Sequence, residues 1–185
     1  MNNKYDWRIS YIRKVINSLS DVLKEVYQQP IDEIGARLEK ESLIENIIGM
    51  AFLTSQIYIS GTIADAKFFS KEPNKMTKPL LLHNFSDSIP GTNVTALEIC
   101  DAYANYYKHH EEWTAYSKDK INKHTIETLA AVGIDVIGNI NIMTEVPFSR
   151  IIDLLLTTDD GIEFSSLVTL LSDWRSRIFA SIIPS

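Results

Sequence analysis

Cysteine is almost missing from this chain, and that alone excludes several designs. Cys100 is the one thiol in 185 residues, so no disulfide can form within the chain and no cysteine-built zinc site can be assembled. A reducing, cytoplasmic setting is the expectation. There is no phosphate-cradling glycine loop, no nucleophile elbow and no dinucleotide fingerprint, so the chemistry those loops serve is not indicated. Clustered basic charge is also lacking. The formal charge of −6, spread over both signs, argues against binding duplex DNA by general phosphate attraction. The opening residues Met1 to Arg8 contain no apolar signal core, so export by the ordinary secretory route is not expected. No internal repeat, low-complexity tract or linker breaks the chain, and residues 1–185 read as one domain.

What is abundant is helical periodicity. With 45% hydrophobic residues the chain can bury a substantial core without metals. From Asp6 to about Gln29, Trp7, Tyr11, Val15, Leu19, Val22 and Val26 recur every three to four positions, predicting an amphipathic helix with those side chains inward. Pro30 ends it. The segment from about Ile31 to Phe69 is the longest helical pattern, and its second half, apolar almost all round, predicts a buried central helix. Leu43 to Ile63 is long enough to span a bilayer, but Glu45, Asn46 and Gln56 favour a core helix, so no membrane is expected. Glu45, Gly49, Gln56 and Ser60 share one narrow stripe, as residues do where a second helix approaches closely. Gly61 is expected to bend or interrupt the helix.

Prolines 73, 79 and 90 predict a long loop at about 70–94, pinned by Leu80 to Leu82 and rimmed by Lys71, Lys75 and Lys78. A short helix capped by Asn122 or His124 should stop at Gly133, where left-handed backbone is easiest. Ile134 to Met143 reads as a loop with one short extended piece. Pro147 opens another helix, which Thr157 to Gly161 ends, and the last helix runs from Ile162 to about Ile182. The fold class is therefore all-α, a single-domain bundle of five to seven helices.

Chemically versatile residues concentrate between Thr95 and Trp113. Thr95 and Glu98 form a capping box that starts a helix. At about 100° per residue, Glu98, Asp101, Asn105, Lys108, His109 and Glu112 gather on one arc, and apolar and aromatic residues cover the rest. His109 lies one turn after Asn105 on the polar edge, where an imidazole suits proton transfer. Asn105 and Lys108 offer an amide and a cation for a phosphate or oxyanion. The plainer reading pairs Asp101, Lys108 and Glu112 as ordinary helix ion pairs. His110 falls in the aromatic arc between Tyr106 and Trp113, as a packed residue would. Glu45 and Gln56 are expected to face this arc from the central helix. His109, Glu112 and Glu45 lack the spacing of helical zinc or di-iron sites, so neither metal nor cofactor is expected.

An all-helical bundle with the run Asn105-Tyr106-Tyr107-Lys108-His109-His110 late in a core helix resembles the HEPN-type domains of prokaryotic defence and toxin–antitoxin systems. The stretch Ile44 to Tyr58 is similar to that of uncharacterised bacterial proteins with an Asn-Tyr-x-Lys-His run. The resemblance implies a dimerising, metal-independent ribonuclease in which His109 transfers the RNA 2′-hydroxyl proton while Asn105 and Lys108 contact phosphate. The arginine of that pattern has no counterpart: Asn105, Ala104 and Tyr103 stand four to six residues before His109. Two functions follow as expectations. The first is an interaction or regulatory protein of a bacterial stress or defence system, acting as a homo-oligomer or on a protein partner. The second is the ribonuclease, with Asn105, Lys108 and His109 catalytic and Glu45, Gln56, Asp101, His110 and Glu112 binding.

Overall fold

A computed structural model describes residues 6–30, 34–115, 123–134, 136, 147–158 and 161–182, with the backbone alone at 110–115, 147, 148, 158 and 161. Among the described residues seven helices follow in order: α1 (Trp7–Gln28), α2 (Ile34–Phe69), α3 (Lys78–Asn84), α4 (Ala96–Ala115), α5 (Lys123–Ala130), α6 (Pro147–Ile151) and α7 (Ser165–Ile182). The all-α bundle is as the periodicity predicts. A π-type turn, Ile152–Leu156, extends α6, and the segment expected merely to end that helix forms a two-residue antiparallel ladder, β1 (Thr157–Thr158) with β2 (Gly161–Ile162). The extended piece expected within Ile134 to Met143 lies mostly outside the described residues.

α2 is the axis of the bundle. α1 and α7 pack on one side of it, α4 on another, and α5 covers α4. Ile47, Ile48, Phe52, Tyr58 and Ile59 of α2 are sealed in one core with Ile16, Leu81, Tyr103, Leu171 and Trp174. Its length and apolarity would suffice to cross a membrane, and 56% of its apolar window is buried inside the protein. Gly61 does not interrupt it: the helix runs unbroken to Phe69, because a helical hydrogen-bond ladder tolerates one glycine.

The side of α1 that faces inward corrects the sequence reading. Ile9, Ile12, Ile16, Leu23 and Val26 are buried, whereas Trp7 and Tyr11 stand 70% and 65% exposed. Of the predicted stripe, Val26 is buried and Leu19 packs on the core, whereas Trp7, Tyr11 and Val22 stand in solvent, because a second, aliphatic stripe about one residue away does the docking. Asp6 caps the first turn by accepting from the Ile9 amide at 3.2 Å, and Lys40 donates to the carbonyls of Tyr27 and Gln29 where α1 ends.

The 70–94 connection is better ordered than a bare loop. Pro73 opens one 3₁₀ turn and Pro79 sits in the first turn of α3. Leu81 and Leu82 are buried, Leu80 is not, and the Trp174 indole N–H donates to the Leu81 carbonyl at 2.9 Å. Gly133 takes φ +83°, the left-handed stop predicted for α5.

Candidate functional site at the contact of α2 and α4

The site begins at the start of α4. The Thr95 amide donates to the Glu98 carboxylate at 2.8 Å and the Glu98 amide to the Thr95 hydroxyl at 3.2 Å, the reciprocal cap expected. The Thr95 hydroxyl also donates to the Leu82 carbonyl, which fixes α4 against α3. Close approach to α2 depends on Gly49, where a Cβ would overlap the Tyr107 ring. The Tyr107 hydroxyl then reaches across to donate to Asn46 at 2.8 Å.

Gln56 is the hub. Its amide nitrogen donates to the Asp101 carboxylate at 2.7 Å and to the Asn105 side-chain oxygen at 3.0 Å, and its oxygen accepts from the Lys108 ammonium at 2.7 Å. Lys78, the first residue of α3, pairs with the same Asp101 oxygen at 2.5 Å. Asp101 is buried and carries both partners, so its charge is compensated. These five side chains form a ladder that ties three helices together.

Burial and Glu45 govern a second group one turn away. Tyr103 is fully enclosed, and burial first, then the Glu45 charge and the Tyr106 and Tyr107 rings, push its phenol well above its ordinary range. Its hydroxyl is the one buried side-chain polar atom among the described residues that finds no hydrogen-bond partner. Tyr106 is pushed up to about 12, by burial and then by Glu45. Cys100, sealed beside them, is likewise raised by burial and by Asp101. All three remain protonated near neutrality, which suits packing and not base catalysis.

The structure thus brings Gln56, Asp101, Asn105 and Lys108 into one network and places Glu45 beside the tyrosines. Lys108 and His109 are exposed on an unbroken helix, while Asn105 is half-buried with its oxygen turned to Gln56. The side chains of His110 and Glu112 lie outside the described residues. No three metal-ligating side chains converge among the described residues. A cleft of about 390 Å³ opens elsewhere, between Phe85 to Asp87 and α7, and none of the predicted residues lines it.

The sequence reading missed a second polar assembly, where α1, α2 and α7 meet. Arg175 bonds Asp65 at 3.0 Å and Thr62 at 3.3 Å and lies 3.4 Å from Asp6, with its guanidinium 4.4 Å from the Phe179 ring centre. Asp6 accepts from the Tyr58 hydroxyl, and Asp65 pairs with Arg8. Tyr58 is raised by burial and then by its bond to Asp6. A signal was present: position 175 shares its phase with Leu171 and Phe179, so a cation there had to enter the core. Gly61 serves this assembly, since a Cβ there would stand 2.8 Å from the Arg8 Nε. No protein-family description matches this sequence, and no curated protein or solved structure is significantly similar to it.

Proposed function

We propose that the chain is an interaction protein whose working surface is the outer arc of α2 with the aromatic edge of α1. One observation carries this reading. Leu43, Met50, Ile57, Ala64 and Phe68 face solvent along a helix that is otherwise the core of the bundle. Trp7 and Tyr11 adjoin them through Arg8, which stacks 4.8 Å over the Trp7 ring and lies across Gly61. Large apolar side chains gathered on one side of a fold mark an association surface more often than apolar residues scattered singly do. The polar ladder at α2 and α4 supports the same reading, because Gln56, Asp101 and Asn105 are committed to one another. On this view they hold the arc rigid.

Folding and dye binding together test it. In samples dilute enough to hold the chain as single copies, Ile57→Glu and Phe68→Ser should denature at the same urea concentration as the parent and bind less of an environment-sensitive apolar dye. A collapse in stability of the kind expected from a core position would sink the reading. The ribonuclease reading keeps one favourable observation, the exposed His109 ring beside Lys108. A mixed RNA pool with chelator, cleaved by the parent and spared by His109→Ala, would put that reading first; a parent that leaves the pool intact removes it.

A further inference from the structure

We propose that the occupant of this surface is a second copy of the chain, docked so that the two α2 helices run antiparallel about a two-fold axis between Met50 and Ile57. The inference rests on the reading of that face as an association surface and names its partner.

Spacing is the first argument. Leu43, Met50, Ile57 and Ala64 recur every seven residues, the repeat of helices that pair side by side, and a core-facing stripe on a straight helix does not require it. The exposed arc lies between the side of α2 that meets α1 at Gly61 and the side that meets α4 at Gly49. Area is the second. At roughly 200 Å² for a fully exposed aromatic side chain, Trp7, Tyr11 and Phe68 present roughly 400 Å² at their observed exposures of 70, 65 and 82%, and Ile57, Met50 and Leu43 raise the face to roughly 700 Å². A stable two-protein contact needs about 600–1,000 Å² from each side.

Orientation follows from what each end of α2 carries. An antiparallel pair brings Leu43 of one copy level with Ala64 of the other, bulk against a small side chain, and Met50 level with Ile57. It also sets Glu39 of one copy near Lys67 of the other, where a parallel pair would oppose each charge to itself. Opposed helix dipoles favour the same arrangement. A two-fold closes after two copies and leaves no apolar edge to grow a filament.

Light scattering across a concentration series should give the mass of two chains, and Ile57→Glu, which buries two carboxylates at the axis, should weaken association by about 100-fold or more. Direction is read from disulfide trapping. Cys100 is sealed, so an introduced thiol reacts without competition from it. A mixture of Met50→Cys and Ile57→Cys chains should cross-link about tenfold faster than either variant alone, because only the crossed pair comes within disulfide reach. Equal rates for Met50→Cys alone would overturn the antiparallel order. A dimer indifferent to Ile57→Glu would overturn both the placement and the reading of the face beneath it. A parent that stays monomeric yet binds anionic phospholipid vesicles, and loses them with Ile57→Glu, would overturn the second copy in favour of a lipid surface while leaving the apolar face in place.

Discussion

Helix α2 carries two polar assemblies built on opposite plans. Near its middle, Gln56 meets Asp101, Asn105 and Lys108 in a ladder that is half open to water, and three of its members stand at helical spacing on one neighbouring helix. On the opposite side of α2, Asp65 and Tyr58 meet Asp6, Arg8 and Arg175 in a network that is largely closed, with members drawn from three helices. Depth decides what each is worth. A buried ion left without its partner retains its desolvation cost, whereas an exposed partner is replaced by water.

The largest effect should therefore come from Arg175→Met. Asp6 would keep only the Tyr58 hydroxyl and the Ile9 amide, and Asp65 would keep Arg8, so urea denaturation should show a loss of about 3 kcal/mol, the lower end for breaking a buried pair. Tyr58→Phe, which removes one bond to a buried carboxylate, should cost about 1.5–2 kcal/mol. If Arg175→Met costs no more than an exposed substitution, the closed network is not the stronger of the two.

The same contrast explains what could be read in advance. The ladder was legible because Asp101, Asn105 and Lys108 fall on one arc of one helix, and Gln56 on a stripe where small residues invite a neighbour. Its meaning was not: spacing places an amide and a lysine together but does not reveal that they bond to a third side chain. The closed network joins Asp6, the cap of the first helix, to Arg175 of the last, and no periodicity reports such a pairing. The inward face of α1 was misjudged for a related reason. Hydropathy ranks Trp7 and Tyr11 with Ile9 and Ile12, and only the neighbours decide which stripe docks.

The two glycines that serve the assemblies separate them next. At Gly49 the added methyl would meet the Tyr107 ring, whose hydroxyl is tied to Asn46, so overpacking of about 2 kcal/mol less about 1 kcal/mol of gained helix propensity leaves Gly49→Ala destabilised by about 1 kcal/mol. At Gly61 it meets Nε and Cδ of Arg8, a long side chain that can move aside. Gly61→Ala should accordingly be neutral within about 0.5 kcal/mol. Equal losses at both sites would mean that Arg8 is held as firmly as Tyr107. Gln56→Leu should cost less than about 1 kcal/mol, because Lys108 can turn to water and Asp101 keeps Lys78. Combined with Lys108→Ala, it should add almost nothing.

A third pair, wholly outside, sets the lower limit of the comparison. Arg177 of α7 donates two bonds, at 2.8 and 2.9 Å, to the Asp87 carboxylate in the turn before α4. Those bonds, then the guanidinium charge, hold Asp87 below the ordinary aspartate range. A carboxyl whose pKa is lowered by folding contributes above its unfolded value and loses that contribution as pH falls through the folded one. The window is therefore acidic, and nothing should change near neutrality. A carboxyl-detected NMR titration should find the Asp87 midpoint lowered in the parent and moved upward in Arg177→Gln, and Arg177→Gln should denature at a slightly lower urea concentration at pH 7, a difference that is constant near neutrality and closes in acid. A midpoint that does not move would mean that water has already dissolved the pair, and a loss at pH 7 as large as that of Arg175→Met would mean that exposure is a poorer guide to the worth of a charge pair than the two assemblies on α2 imply.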